Sequence, residues 1–309
     1  MAHILALSPW RSHCISGTAA DLKLRCLVAG GAVVITGSST GIGRACALHL
    51  AAAGFDVFAG VRRAEDGERL RADASGRLVP LIVDVTDPET IEAARRTVED
   101  GTGSAGLAGL VNNAGIAVAG PLEFVPLEDF RRQLDVNLLG HVAVTQAFLP
   151  LIRRARGRIV NVTSVGGRVA NAFMGPYQSS KWAMEALTDA LRKELRPWGI
   201  HVSAVEPGTI ATPMWQKGVD QADRLLADLP AEAQELYGDT IRKMQGFAAR
   251  LAERGAPPER VAKAVEHALT ARRPRTRYLV GADARIQVTL DRVLPARAGD
   301  AVEARLMGL

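Results

Sequence analysis

The sequence predicts an α/β domain: a doubly wound, Rossmann-type parallel sheet of about seven strands, with helices on both faces. Three observations carry this. Short runs rich in β-branched residues alternate with apolar-periodic helical segments from residue 31 to residue 282. The strands are apolar on both sides, as strands covered by helices on each face must be. A glycine-rich turn joins the first strand to the first helix, where such sheets bind nucleotides. No linker, repeat or low-complexity tract divides the 309 residues, which are long enough for one large core.

The elements follow in order. AVVIT (32–36) is the first strand, and the helix after its turn runs to Ala53, where Gly54 stops it. DVFAG (56–60) and LVPLIVDV (78–85) are the second and third strands. Thr86-Asp87-Pro88-Glu89 then opens a helix, with proline in its first turn. LAGLVNNAG (107–115) is the fourth strand with its exit loop, and one long helix covers 127–154. RIVNVTS (158–164) is the fifth strand, a helix starts at Gly175-Pro176, IHVSAVEPG (200–208) is the sixth strand and YLVG (278–281) the seventh.

Three segments stand outside this rhythm. Residues 1–30 lack periodicity and read as a poorly ordered extension. Residues 213–256 read as a polar, helical lid, in which Met214, Trp215, Leu225, Leu226, Leu236, Tyr237, Ile241, Met244 and Phe247 either line a pocket or pack the lid's own helices. Residues 283–309 read as a helical tail; its Ile286, Val288, Leu290, Val293 and Leu294 would pack on the lid or a partner subunit, or touch a membrane surface.

Composition excludes several classes. Cys14, Cys26 and Cys46 include no Cys-x-x-Cys pair, which argues for reduced thiols in a cytoplasmic protein and against a disulfide framework or zinc. The six histidines show no metal-binding spacing, so no metal is expected. The net charge of +5 comes from scattered arginines, with doublets such as Arg95-Arg96 and Arg131-Arg132 on helices. That pattern reads as a solvated surface, not a nucleic-acid groove. No run of 18 apolar residues marks a membrane-spanning helix.

The turn TGSSTGIGRA (36–45) spaces its glycines as Gly37-x-x-x-Gly41-x-Gly43. Glycines allow close backbone approach, and the helix N-terminus offers N–H groups and partial positive charge to a pyrophosphate. The second strand ends in Gly60-Val61-Arg62-Arg63, with no acid for a ribose 2′-hydroxyl. Arg62 there favours the 2′-phosphate of NADP(H), with NAD(H) possible. The helix from Gly175 poses a sharper problem: Tyr177 and Lys181 share its apolar face with Met184, Leu187, Leu191 and Leu195. Burying an ammonium costs several kcal/mol unless something compensates.

Four features, in order, resolve it: Thr36-Gly-x-x-x-Gly-Ile-Gly43, Asn112-Asn113-Ala114-Gly115, Ser164 thirteen residues before Tyr177, and Tyr177-x-x-x-Lys181. Together they resemble the short-chain dehydrogenase/reductase family, in its compact single-domain branch, over residues 31–282. GFDVFAGVRR, YQSSKWAMEALTDALRKEL and RYLVGADA are most similar to its retinol and hydroxysteroid dehydrogenase-like members.

The resemblance implies hydride transfer between a nicotinamide and a hydrophobic alcohol or carbonyl substrate. Tyr177 would be the acid/base, Lys181 its partner, Ser164 the substrate-orienting hydroxyl and Asn137 the fourth member, shaping a proton path. Gly37, Ser39, Thr40, Gly41, Ile42 and Gly43 would cradle the cofactor. Asp84 and Val85 would meet the adenine, and Asn113, Ala114 and Gly115 would contact the cofactor after the fourth strand. Pro207, Gly208, Thr209, Ile210 and Thr212 would hold the nicotinamide. Homodimers or homotetramers paired through the long helices are implied as well. A non-catalytic NADP(H)-binding redox sensor and a sugar-nucleotide epimerase are the alternatives. An ammonium beside Tyr177 makes chemical sense, since lowering a phenol by about 3 pKa units needs roughly 4 kcal/mol of differential interaction.

Overall fold

The computed structural model describes residues 30–214 and 230–307. The N-terminal extension with Cys14 and Cys26 lies outside them, as do Trp215, Leu225, Leu226 and the side chain of Phe247.

Seven parallel strands form one sheet: β1 (Ala32–Ile35), β2 (Asp56–Val61), β3 (Leu78–Ile82), β4 (Gly109–Asn112), β5 (Arg158–Val162), β6 (His201–Pro207) and β7 (Arg277–Val280), in the order β3-β2-β1-β4-β5-β6-β7. The helices are α1 (Gly41–Ala52), α2 (Ala64–Asp73), α3 (Pro88–Thr102), α4 (Leu127–Leu134), α5 (Gly140–Ala155), α6 (Gly175–Glu194), α7 (Ala231–Glu253), α8 (Glu259–Thr270), α9 (Ala282–Val293) and α10 (Ala296–Met307). The chain order reverses between β1 and β4, so a crevice opens beyond their C-terminal ends.

Alternation along the strands builds two cores. Val33, Ile35, Val57, Val111, Val160 and Val205 face α1 and α8, meeting Cys46, Leu50, Val261, Val265 and Leu269. Val34, Phe58, Leu110, Ile159 and Val202 face α3 and α5, meeting Val98, Val144, Phe148 and Ile152. Cys46 is completely buried, and its thiol is pushed up to about 12 by that burial, so it is an inert packing residue. A buried polar bridge crosses the second core: Asn112 Nδ2 donates to Thr145 Oγ1 and to Asn161 Oδ1, both at 2.9 Å, and Asn161 Nδ2 donates to Thr188 Oγ1 at 2.8 Å. It fixes α5 and α6 in rotation about their axes over the sheet.

Several sequence expectations shift. The strands at 78–85 and 158–164 end at Ile82 and Val162, which releases Asp84, Val85 and Ser164 into loops above the sheet. The single long helix over 127–154 is α4 and α5 joined by a π-helical turn, Asp135–Leu139, that carries Asn137. Such turns insert one residue and re-aim a side chain. The span 127–155 is long and apolar enough, with a mean hydropathy of 1.2, to cross a bilayer by composition. It is instead a core helix, with Gln133, Asn137, His141 and Thr145 buried toward the sheet.

Three of the four arginines in these doublets form local ion pairs. Arg95 pairs with Glu92 and Glu99, Arg96 with Glu92, and Arg132 with Asp129. Phe148, 1 % exposed, should be a main support of the α5 core. Phe148→Ala is expected to destabilise the protein by about 3–5 kcal/mol, read as a lower denaturant midpoint. An unchanged midpoint would mean that α5 does not carry the core.

Candidate active site

Every residue that the sequence marks for catalysis or cofactor contact lines one cavity of about 1420 Å³ at the C-terminal ends of the strands. One half holds the residues expected to cradle a dinucleotide. Gly37 and Gly41 have φ of +67° and +57°, which side-chain-bearing residues rarely adopt. A Cβ on Gly43 would sit 2.2 Å from the Gly37 carbonyl oxygen and 2.4 Å from Asn113 Nδ2. The N-terminus of α1 carries no side-chain cap from Thr40 and no acid in its first turn, unlike α3, where the Asp87 side chain accepts from Glu89 N. Unsatisfied N–H groups without a competing carboxylate suit a pyrophosphate.

The Thr36 hydroxyl oxygen accepts from Asn113 N and Ala114 N at 2.9 and 3.0 Å, and Asn113 Nδ2 donates to the Thr36 and Gly37 carbonyls. Asn113 therefore clamps the glycine turn, beyond the cofactor contact expected of it. Of the two arginines after β2, Arg63 is tied to Asp66 at 2.9 Å, whereas Arg62 lines the cavity beside Asp84. Asp84 Oδ1 accepts from both the amide and the hydroxyl of Thr86, which shapes the floor of the adenine side.

The other half holds Ser164, Tyr177, Lys181 and Asn137, the residues expected to be catalytic. Val165–Gly167 forms a 3₁₀ turn after β5, and Ser164 Oγ accepts from Gly166 N at 3.0 Å. With a lone pair so occupied, the Ser164 proton remains free to donate. Tyr177 sits in the first turn of α6; burial raises its phenol, and the Ser164 hydroxyl lowers it. Lys181, one turn on, is 5 % exposed, and its Nζ lies 5.8 Å from the Tyr177 ring centre and donates to the Val162 carbonyl at 3.0 Å. Burial depresses it to about 8, opposed by the charge of Glu185. Asn137 is fully buried; its Oδ1 accepts from Ile116 N and its Nδ2 donates to Ile116 O, both at 2.9 Å. It pins the loop after β4 against the cleft.

The sequence had placed Tyr177 in an environment that lowers its pKa. The chain's own groups leave it raised, because burial outweighs the serine hydrogen bond and Lys181 spends its ammonium on a main-chain carbonyl.

Other residues of the site had no motif to announce them. His141 is buried one turn after Asn137, with Nε2 against the Ala114 carbonyl at 2.6 Å. Burial, and then Lys181, depress it to about 3, so it is neutral and donates to Ala114. Beneath α6, Arg277 Nε lies 3.0 Å from Glu185 and 3.1 Å from the completely buried Glu206, which Arg168 also meets at 3.1 Å.

The tail lines the cavity as well, with Gln287, Leu290, Leu294 and Val302. Of its expected packing residues, Val288 is buried, while Ile286 and Val293 are exposed. From the lid, Met214, Ile241 and Met244 line the cavity. Tyr237 instead docks the lid edge-on against Phe124 and Phe173 at 5.9 Å, and Leu236 faces outward. Phe173 holds a φ of +65°, uncommon for a bulky residue.

Comparison with known proteins places these features in context. The short chain dehydrogenase family profile matches residues 31–223. The chain is 43 % identical over 281 residues to retinol dehydrogenase 5 of Mus musculus, covering 87 % of this chain and 86 % of that protein. It is 40 % identical to the 17-beta-hydroxysteroid dehydrogenase type 6 of Bos taurus, covering 88 % and 87 %. Among solved structures, a short-chain dehydrogenase from Streptomyces avermitilis superposes with a TM-score of 0.70 at 28 % identity, over 90 % of this chain and 97 % of that one. A Burkholderia cenocepacia short-chain dehydrogenase in complex with NADP does so at 0.65 and 26 %, over 91 % and 98 %.

The buried ammonium makes a prediction about stability. Lys181 is depressed to about 8 in the fold and is ordinary when unfolded, near 10.4. Between these values the unfolded chain binds more protons, so this group's contribution to stability rises with pH there and is least favourable below pH 8. Lys181→Met should therefore gain stability relative to wild type at pH 7, with the gain shrinking towards pH 10. Denaturant unfolding at the two pH values checks the sign; a gain that grew with pH would refute the account.

Proposed function

The chain belongs to the short-chain dehydrogenase family and is an NAD(P)-dependent oxidoreductase of CH–OH groups, and on that premise we propose that it interconverts a bulky hydrophobic secondary alcohol, retinoid- or steroid-like, and its carbonyl, with Tyr177 as acid/base. The observation that carries this reading is the convergence of Ser164, Tyr177 and Lys181 on a cavity to which Met174, Trp182, Met214, Ile241, Leu290 and Leu294 contribute apolar surface, interrupted by polar groups such as Gln287, Asp291 and Glu303. The names of the relatives, a retinol and a hydroxysteroid dehydrogenase, support the same substrate class.

A bound nicotinamide supplies the hydride acceptor or donor. The chain's residues manage the proton and the charge. In oxidation, deprotonated Tyr177 takes the hydroxyl proton of the substrate while hydride leaves the carbinol carbon; in reduction, the phenol returns a proton to the carbonyl oxygen. The Ser164 hydroxyl donates to that oxygen and stabilises the charge that develops on it. Lys181, charged below about pH 8, is the cation that would bind the ribose hydroxyls and, together with the positive ring of an oxidised nicotinamide, would offset the charge of the phenolate. Asn137 keeps the Ile116 loop from collapsing into the site. NADP(H) is favoured, because Arg62 borders the cavity and no acid stands at the end of β2; NAD(H) remains a possible cofactor. Pairing into a homo-oligomer through the long helices is part of the same reading.

Two experiments test the reading. Nicotinamide absorbance would be followed with a panel of retinoid, steroid, aromatic and aliphatic alcohols and carbonyls. Tyr177→Phe is expected to lower turnover by about 10²–10⁴-fold with cofactor binding retained; a variant as fast as wild type would remove Tyr177 from the chemistry. Arg62→Ala should weaken NADPH binding about 10–100-fold, the worth of a charge-assisted hydrogen bond, and leave NADH binding within twofold. Equal effects on both cofactors would place the 2′-phosphate elsewhere.

A further inference from the structure

The loop from Pro207 to Thr212, which on the reading above holds the nicotinamide, is secured partly by main-chain bonds. Gly208 N donates to the Val280 carbonyl at 2.8 Å, Ala256 N to the Thr209 carbonyl at 2.9 Å, and Ala211 N to the Ala256 carbonyl at 3.0 Å. A side chain joins them from the stretch RYLVGADA, to which the sequence assigned no role at the site. Asp283, in the first turn of α9, accepts from Thr209 N through Oδ2 at 2.6 Å.

The space for this carboxylate is built by two glycines. A Cβ on Gly208 would lie 2.5 Å from Asp283 Oδ2 and 2.6 Å from Oδ1. Gly281, two residues before Asp283, has a φ of +117°, and a Cβ there would lie 2.3 Å from Asp283 Oδ1. The left-handed turn at Gly281 brings the start of α9 over the end of β7, and the carboxylate then faces the loop. Charge suits the place, since an acid in the first turn of a helix is stabilised by the helix dipole. Beyond Asp283, α9 and α10 form part of the cavity wall and are fastened at a second point, where Glu303 accepts from Ala172 N at 3.0 Å.

We infer that Asp283 is a positioning residue for cofactor binding, holding the loop 207–212 in its cofactor-receiving shape and tying it to the α9–α10 wall. The inference rests on the dinucleotide reading of the cavity. Loss of the carboxylate frees the Thr209 N–H and lets the loop shift, so cofactor affinity falls before global stability does. An amide keeps one acceptor oxygen and restores part of the effect.

The test measures NADPH affinity by fluorescence titration of the full chain, with kcat and KM beside it and a thermal melt as control. Asp283→Ala is expected to raise the NADPH dissociation constant about tenfold, Asp283→Asn to bring it back to within about threefold, and Thr289→Ala, on the outer face of α9, to match wild type. Gly208→Ala should weaken NADPH binding on its own, by forcing a methyl group against the carboxylate. In the Asp283→Ala background the same change should add little, and this non-additivity holds the inference testable even if single variants lose some stability.

NADPH affinity within twofold of wild type in Asp283→Ala, or strictly additive effects in the double variant, would overturn the inference while leaving the dinucleotide reading intact. A wild-type chain that bound neither NADPH nor NADH would overturn both.

Discussion

The hydrogen bond from Lys181 Nζ to the Val162 carbonyl, 3.0 Å long and buried, is the contact around which the reaction centre is arranged. It requires β5 to end at Val162, so that the strand leaves a carbonyl for a cation instead of a ladder partner. It requires α6 to approach the turn after β5 closely, and Gly167 allows this, since a Cβ there would lie 2.9 Å from the Lys181 carbonyl. It also sets the position of Tyr177 one helical turn earlier, because α6 cannot rotate without losing the ammonium's bond to the Val162 carbonyl. The cost of holding a lysine here is offset in part by Glu185, itself held by Arg277. Removing Glu185 would leave the ammonium without that compensation, and removing Arg277 would take its charge from the buried Glu185 and Glu206 carboxylates.

The cofactor side depends on a different device. Thr36 and Asn113 use four hydrogen bonds to tie the glycine turn to the strand across the crevice. The turn's shape is then fixed by the protein, and binding need not order it at a further cost in entropy. The two halves meet at the point where strand order reverses, between β1 and β4. A reactive ring and a proton-transfer group can thus be brought together from elements far apart in sequence.

Much of this was legible in the sequence because it is local. Tyr177 and Lys181 are four residues apart on one helix, the glycines of the turn lie within seven residues, and the strands are short apolar runs with clear stops. The boundaries of β3 and β5 were overextended because Val83, Val85 and Thr163 have strand propensity, and Val83 N and Thr163 N still donate to the Val61 and Val205 carbonyls as the last rungs before the chain leaves the sheet; tertiary pairing decides such ends. The π-helical turn at Asn137 was invisible for a related reason. Its residues are ordinary helix formers, and only the demand of the Ile116 main chain for both ends of the Asn137 amide makes the extra residue worthwhile. The phenol of Tyr177 is raised by the chain's own groups because the lysine's principal bond is to a distant carbonyl that spacing along α6 does not reveal; the lowering expected from the sequence concerned Lys181 together with an oxidised nicotinamide.

What the sequence hid most completely is the cavity wall proposed to meet the substrate. Phe173, Met244, Gln287, Leu290 and Val302 come from a loop, the lid and both tail helices, and none shares a period or a motif with another. Catalytic groups must keep fixed mutual geometry, so they are drawn from short rigid segments and leave a compact signature. A surface selecting among hydrophobic substrates needs only shape and apolar character, which many residues supply at positions set by packing. The chemistry of the reaction is therefore written in neighbouring residues, while its specificity is written in how α7, α9 and α10 close over them. A contact such as that of Asp283 with Thr209, joining the two, belongs to neither pattern and emerges only from the folded chain.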